Sequence, residues 1–221
     1  MLTPIKNPLT NSTHVTKLHR LPRIAITFAL AFILTTLAPS GHAQNAVLEL
    51  NPGQTRINFT LGDVLHTVHG EFKLKRGTIN FDAGTGKASG SVVVDATSGD
   101  SGSHARDHKM HKDVLESAEY PEISFAPQQV QGQVPAQGDF KVRVLGTFTM
   151  HGSSHPLALV IEAHLAGSQL TADTNFTIPY VNWGLKNPST LFLRVNDTVD
   201  IAIHSVGQLA PGGRDSAQPP P

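Results

Sequence analysis

Apolar and polar residues alternate along most of residues 46–209, and this period of two constrains the fold more than any other feature of the sequence. For example, polar residues flank Ile57 and Phe59 on both sides, and one precedes Leu61. Successive side chains of a β-strand point to opposite faces, so each such segment predicts a strand with one buried face. Gly, Pro, Asn and Asp separate the segments, as expected of turns. The pattern predicts an all-β domain of eight or nine strands.

Strands of this kind close most economically as an antiparallel barrel or as two packed sheets, because either arrangement removes or protects the sheet edges. An eight-stranded barrel has an interior that side chains can fill or that can hold one ligand. The pattern leaves both arrangements open. The inward-facing residues are Phe, Ile, Leu and Val, so a ligand is expected to be apolar. Gly146 interrupts one segment, where we expect a bulge or bend.

One stretch departs from the period of two. Residues 106–125 read RDHKMHKDVLESAEYPEISF, in which Met110, Val114 and Leu115 have the spacing of one helix face. The proline of the Tyr-Pro step disfavours helix in the residue before it, so the helix is expected to end there. We predict one helix inserted into an otherwise continuous β chain.

The first 43 residues have the order of a secretory signal. They contain four basic and no acidic residues, and an apolar run over residues 24–38 leads to the small-residue triplet Gly41-His42-Ala43. This run is shorter than the roughly 20 residues of a membrane-spanning helix. We predict cleavage after Ala43 and export to the periplasm, with an uncleaved membrane anchor as the alternative.

Removal of residues 1–43 leaves 13 basic against 17 acidic residues, a net charge near −4. A basic surface for nucleic acid is therefore not expected. The chain contains no cysteine, which excludes disulfides and lipoprotein-type lipid attachment. Residues 210–221 are rich in Pro and Gly and lack apolar periodicity, which predicts a disordered tail after a barrel domain at residues 44–209.

Several motifs occur in order along this domain: Gly70-Glu71-Phe72, Gly77-Thr78-Ile79-Asn80-Phe81-Asp82, Arg106-Asp107, Tyr120-Pro121-Glu122-Ile123-Ser124-Phe125, Gly146-Thr147-Phe148-Thr149-Met150-His151-Gly152 and His155-Pro156. As an ordered set they resemble the YceI-like family of exported, polyisoprenoid-binding proteins. The resemblance covers about residues 46–209. It implies a lipocalin-like antiparallel eight-stranded barrel with one inserted helix, and a long isoprenoid or other amphiphilic lipid in the central tunnel.

The sequence departs from the family's pattern at two places. After Arg106-Asp107, where the family commonly has a His-Leu step and two aromatic residues, it reads HKMHKDVLES and is one residue shorter. Near the end, where an aromatic-Gly pair often follows a basic residue, it reads IPYVNWGL over residues 178–185. The chain therefore resembles a subgroup of the family. We expect a difference in ligand preference from the family to arise at the shortened segment after Arg106-Asp107.

Aromatic residues are the main candidates for contact with a ligand. In a packed sandwich the same Phe side chains would fill the core, and the resemblance favours a lined tunnel instead. Tyr120 combines an apolar ring with a hydroxyl, which suits a rim. Trp183 lies next to Gly184 in a long connection and is the candidate for the tunnel mouth. The predicted ligand-binding set is Phe59, Phe72, Phe81, Phe125, Phe140, Phe148, Phe176, Trp183, Leu193 and Tyr120.

Histidines offer two further interpretations, and we predict neither a metal site nor a catalytic residue. His104, His108 and His111 have spacings of four and three residues, which on one helix face could present imidazoles to a metal. His151 and His155 flank a Gly-Ser-Ser turn, which suggests a hydrolase, but the sequence lacks a G-x-S-x-G nucleophile elbow. We favour the interpretation that both groups are exposed polar residues, on a solvated helix and on a polar turn.

The leading functional hypothesis is a non-enzymatic periplasmic protein that holds a quinone, polyprenyl or other amphiphilic lipid for sequestration or transport. No other cofactor is expected, and contact with a membrane would be transient. The alternative is a stress-response or interaction module whose barrel is filled by side chains. The sequence leaves open whether the barrel forms a homodimer.

Overall fold

The computed structural model describes residues 45–62, 67–190 and 194–212. The predicted signal sequence lies outside them, as do residues 213–221 of the predicted tail. Between residues 100 and 122 a short helix, α1 (His104–Lys109), continues as a π-helical stretch (Met110–Val114). The strands within the described residues are β1 (Asn45–Leu50), β2 (Arg56–Gly62), β3 (Thr67–Asp82), β4 (Ala88–Asp100), β5 (Glu122–Gln131), β6 (Gly138–Met150), β7 (Ser153–Ala166), β8 (Gln169–Ile178) and β9 (Val199–Pro211).

The strands form one antiparallel sheet that closes on itself. In the order β3-β2-β9-β8-β7-β6-β5-β4, β4 pairs back with β3, which gives eight positions around a barrel. β1 shares a position with β2, because both pair with β3 and with β9 and only residues 51–55 separate them. The predicted eight-stranded antiparallel barrel with one inserted helix is confirmed. A ninth strand segment exists because the first position is interrupted by a turn.

The apolar phase of each strand faces the barrel interior. Gly146 does not interrupt this phase, because β6 and β7 pair without a register shift from Gly138 to Met150. The bulge expected at Gly146 is therefore wrong, and the irregularity lies in the facing strand β5, between Pro127 and Gln129. Gly146 instead makes room for Phe125, since a Cβ added there would lie 2.6 Å from Cζ of that ring.

The inserted helix begins two residues before Arg106 and ends earlier than predicted. Its π-helical part stops at Val114, and Glu116 then adopts a φ of 46°, a value that a non-glycine residue rarely takes. The turn that follows is held by a hydrogen bond from Tyr120 N to Glu116 O (2.9 Å). This turn, and not the proline at position 121, ends the helix.

β9 continues two residues past the predicted domain end at Leu209. Ala210 pairs with Val47 and Pro211 with Ala46, so β1 and β9 lie side by side at one end of the barrel. Among the described residues, no helix has both the length and the apolar character needed to cross a membrane.

Candidate ligand-binding site

The barrel interior contains two consecutive chambers. The larger has a volume of about 800 Å³ and extends to the end of the barrel where β1 begins and β9 finishes. The smaller, about 180 Å³, lies beneath α1 and the π-helical stretch at the opposite end. Both chambers are lined by the residues of the waist: Ile57, Val94, Ile123, Phe148, Phe176 and Ile203.

Small residues on three neighbouring strands explain why side chains do not fill the larger chamber. Ala163 on β7 faces Ala172 on β8, which in turn faces Ser205 on β9, and all three line the chamber. Side chains of native interiors normally interdigitate to close packing, and short side chains at three adjacent inward positions cannot reach across a barrel. The larger chamber therefore exists because the inward side chains at one level of β7, β8 and β9 are short.

The larger chamber is free of ionisable side chains among its described lining residues. Two of its hydroxyl groups, those of Thr174 and Ser205, form hydrogen bonds within the barrel wall. Thr174 Oγ1 donates to Val160 O (2.8 Å), and Ser205 Oγ donates to Ala172 O (3.1 Å). Because burying a charge is costly unless the charge is paired, this interior suits an uncharged, mainly apolar ligand.

The helical segment covers the smaller chamber and is fastened to the end of β4. Arg106 donates from Nε to Ser101 Oγ (2.8 Å) and from Nη2 to Ser101 O (2.9 Å), while Asp107 Oδ1 accepts from Ser101 N (2.8 Å) and Oγ (2.5 Å). Desolvation opposes ionisation of Asp107, but the hydrogen bonds from Ser101 outweigh it and lower the pKa of the carboxyl. Lys109 Nζ donates to Pro188 O (2.8 Å) and so links the helix to the connection between β8 and β9.

The connection between β8 and β9 forms the second part of this cover. Tyr180 is buried with Leu185 in a cluster that includes Phe148 and Met150, and its hydroxyl donates to Asn196 O (2.7 Å). Burial, assisted by the charge of a nearby aspartate, raises the pKa of Tyr180 to about 12. The hydroxyl therefore stays protonated and keeps the connection fixed over the end of the barrel.

An ion-pair cluster joins the cover to the turn between β6 and β7. His151 Nε2 lies 2.8 Å from Glu116 Oε2, and Lys186 Nζ lies 3.5 Å from Glu116 Oε1. The hydrogen bond with His151 is the main reason that the pKa of Glu116 is lowered. The ring of Tyr120 packs on that of His151 with centroids 4.4 Å apart. Glu116 and His151 both have positive φ, so the cluster holds two turns in conformations that are rare for non-glycine residues.

The structure places seven of the ten predicted ligand-binding residues on the chamber walls. Phe59 and Phe72 line the smaller chamber and Phe81, Phe125 and Phe140 the larger, while Phe148 and Phe176 belong to the waist.

Trp183, Tyr120 and Leu193 do not join this group. Trp183 stacks on His155, with centroids 4.1 Å apart and planes at 4°, and lies outside both chamber linings. Tyr120 likewise lies outside both linings, against His151. Leu193 lies outside the described residues. The sequence reasoning in turn missed Ala163, Ala172 and Ser205, because a short inward residue is informative only when its cross-strand neighbours are known.

Two of the histidines considered above, His111 and His151, have hydrogen-bond partners in the described part of the chain. His111 Nε2 lies 2.9 Å from Gly99 O and its Nδ1 lies 3.1 Å from Ser117 Oγ, so the ring ties the helical segment to β4. No group of three or more His, Cys, Asp or Glu side chains is arranged to hold a metal ion within the described ranges. Ser154 Oγ forms a hydrogen bond with Thr149 Oγ1 (2.8 Å), and His151 forms one with Glu116. The serine and the histidine of this turn therefore have different partners.

The sequence and the fold are similar to those of known proteins. The profile of the YceI-like domain matches residues 48–206. A UPF0312 protein of Vibrio campbellii is 29% identical over 145 residues, which cover 64% of this chain and 74% of that protein. A UPF0312 protein of Pseudomonas syringae pv. tomato is 32% identical over 130 residues, which cover 57% of this chain and 66% of that protein.

Two solved structures share the fold. Burkholderia cenocepacia BcnA superposes with a TM-score of 0.60 at 20% identity, over 71% of this chain and 98% of BcnA. A polyisoprenoid-binding domain from Saccharophagus degradans, implicated in plant cell wall breakdown, gives a TM-score of 0.54 at 15% identity, over 74% of this chain and 98% of that domain. At these identities the likeness establishes the fold alone.

Proposed function

The chain belongs to the YceI-like family, and from that membership we propose that it is a periplasmic lipid-binding protein. In this proposal an isoprenoid of the quinone or polyprenyl type, or another amphiphilic lipid, occupies the barrel interior for sequestration or transport. The observation that carries the proposal is the larger chamber, whose volume of about 800 Å³ falls within the roughly 300–1,000 Å³ of typical ligand sites. The related fold from Saccharophagus degradans, itself a polyisoprenoid-binding domain, supports the same ligand class.

The chemistry of the walls fits an apolar chain. Burial of apolar surface is favourable by roughly 25 cal/mol per Å², and an isoprenoid chain carries no polar group that the chamber would leave unpaired. A chain longer than the larger chamber would pass the waist, whose residues line both chambers, and reach the smaller chamber beneath the helix. The two chambers would then hold successive parts of one ligand.

A binding role fits this interior better than the alternative of an interaction module with a filled barrel. A barrel closed by its own side chains would leave few voids larger than a water molecule. The larger chamber far exceeds that size. The proposal invokes no covalent chemistry, because the described chamber walls are mainly apolar and bring together no ionisable side chains.

The test is to identify what the protein carries. Protein purified from its native host without detergent is extracted with organic solvent, and the extract is quantified by mass spectrometry. We expect close to one lipid molecule per chain. An extract without lipid in stoichiometric amount would refute the proposal.

A pair of substitutions locates the ligand. Phe125→Asp places a carboxylate on the wall of the larger chamber and should abolish lipid retention, whereas Val160→Asp places the same group on the outer face of β7, where Val160 is 46% exposed. Both variants are first compared by circular dichroism and thermal unfolding. Because Phe125→Asp can also impair folding, Ser205→Leu serves as a second interior change that occupies the chamber without adding a charge. Equal lipid content in all the folded variants would contradict an interior site.

A further inference from the structure

The larger chamber reaches one end of the barrel, and that end differs in chemistry from the other. Ala136, Gly167 and Gly212 lie at this end and line the chamber. The opposite end is covered by the helical segment and by the connection between β8 and β9, which are tied together by the bond from Lys109 Nζ to Pro188 O. A ligand of the larger chamber therefore has its shorter route through the end at Ala136.

The rim of this end carries few charges. Residues 132–137 read GQVPAQ and residues 166–169 read AGSQ, so neither turn contains an ionisable side chain. The third turn, residues 82–88, contains Lys87 and Asp82, and the carboxylate of Asp82 accepts hydrogen bonds from the backbone N–H groups of Gly84 (2.8 Å) and Thr85 (3.2 Å). Directly after residues 132–138, Asp139 pairs with His164 at 2.6 Å. The covered end, by contrast, carries many charged residues, among them Arg106, Lys109, Lys112, Asp113, Glu116, Glu119 and Lys186.

One turn of the rim has the features of a hinged flap. Gly132 and Gly138 bound it with φ values of 114° and 92°, conformations that glycine adopts at low cost. Val134, Pro135 and Ala136 between them line the larger chamber.

The side chain of Gln137 holds this flap to the neighbouring turn between β7 and β8. Gly167 N donates to Gln137 Oε1 (2.7 Å), and Gln137 Nε2 donates to Gly167 O (3.2 Å). Because both hydrogen bonds run between exposed groups, water can replace them at small net cost when the flap opens.

We propose that the flap at residues 132–138 is the port through which the ligand enters and leaves, and that this end of the barrel exchanges the ligand while it rests on a lipid bilayer. The inference builds on the proposed lipid-binding function and adds to it the route and the partner surface. An apolar chain that moves directly from a bilayer into the chamber avoids exposure to water. A charged rim would have to be desolvated at such a contact, whereas Val134, Pro135 and Ala136 can lie in the interfacial region.

The experiment measures uptake from vesicles. The mature chain, stripped of bound lipid, is mixed with phosphatidylcholine vesicles that contain geranylgeraniol, separated from them at timed intervals, and analysed by mass spectrometry for the alcohol. Ala136→Lys places a charge on the flap, and Asn182→Lys places the same charge at an exposed position of the covered end. We expect Ala136→Lys to slow uptake about five-fold, since a lysine near a bilayer interface costs up to roughly 1 kcal/mol, and Asn182→Lys to match the unsubstituted protein.

Release is measured with Gln137→Ala, which removes both hydrogen bonds to Gly167 and should speed transfer of geranylgeraniol to acceptor vesicles. Equal uptake by the two lysine variants would overturn the port. An uptake rate that does not depend on vesicle concentration would overturn the bilayer contact while leaving lipid binding intact, and unchanged release from Gln137→Ala would overturn the latch. A protein that binds geranylgeraniol from no source would refute both this inference and the proposed function.

Discussion

Replacing Ala172 by leucine distinguishes an open barrel from a filled one through the sign of the stability change. Ala172 is 7% exposed and faces Ala163 across β7 and β8 on the wall of the larger chamber. The leucine side chain would extend into the larger chamber, which other side chains do not fill. In a filled core the same substitution would force neighbouring side chains apart.

The magnitude follows from the three carbons that leucine adds. At about 0.8 kcal/mol per buried CH₂, their burial contributes up to roughly 2.4 kcal/mol, from which about 0.5–1 kcal/mol is lost to side-chain ordering. We therefore expect the free energy of unfolding of the lipid-free protein to rise by about 1–2 kcal/mol. Overpacking of a filled core would instead lower it by roughly 1–3 kcal/mol.

The assay is urea denaturation of lipid-free protein, followed by circular dichroism, together with the lipid content of the protein as purified. Ala202→Leu, on the exposed outer face of β9, is the matched control and should change neither quantity appreciably. The Ala172→Leu variant should gain stability and lose lipid, because the leucine occupies ligand volume. A loss of stability with unchanged lipid content would refute the assignment of the chamber.

Three further changes test the contacts around the barrel. Glu122 has a pKa of about 2 because Arg76 and a neighbouring lysine hydrogen-bond its carboxylate. Its stabilising contribution is therefore complete above pH 4.5 and is lost as the pH falls towards 2. Glu122→Gln should flatten the decline of the unfolding temperature between these pH values. Tyr180→Phe removes the donor to Asn196 O and should lower the free energy of unfolding by about 1–2 kcal/mol in urea titrations. Asp107→Asn weakens the attachment to the end of β4 and should increase amide exchange in the helical segment without changing exchange in β7.

Each of these changes has a control or a contradicting result. Glu119→Gln alters an exposed glutamate and should leave the acid limb of the stability profile as it is; an equal effect of the two glutamine variants would contradict the role of Glu122. Asp113→Asn is the corresponding control for Asp107 on the same segment. Tyr180→Phe with wild-type stability at pH 7 would show that the hydroxyl does not hold the connection.

The period of two in the sequence was sufficient to predict the strands and their inward faces. Each inward Phe lies on the phase that alternation assigns to it, because the side-chain direction in a strand is local information. The family resemblance resolved the choice between barrel and sandwich, which the alternation left open. Closure through the pairing of β3 with β4 is a long-range contact that no local pattern encodes.

The chamber itself could not be predicted, because it depends on register. Ala163, Ala172 and Ser205 are unremarkable singly, and only the pairing of β7, β8 and β9 sets them side by side. Trp183 is predicted at the tunnel mouth from its position next to Gly184 in a long connection, and the sequence does not indicate that its ring stacks on His155. The helix ends early because Glu116 has a positive φ. The sequence predicts a later end, at the Tyr-Pro step.

A crystal structure of the protein purified from its native host, without detergent or added lipid, would show whether a lipid occupies the barrel. We expect continuous, elongated electron density in the larger chamber, in contact with Ala163, Ala172 and Phe125 and leading towards the waist at Phe148. Density for water alone, or inward side chains that close the space, would contradict a lipid-binding interior.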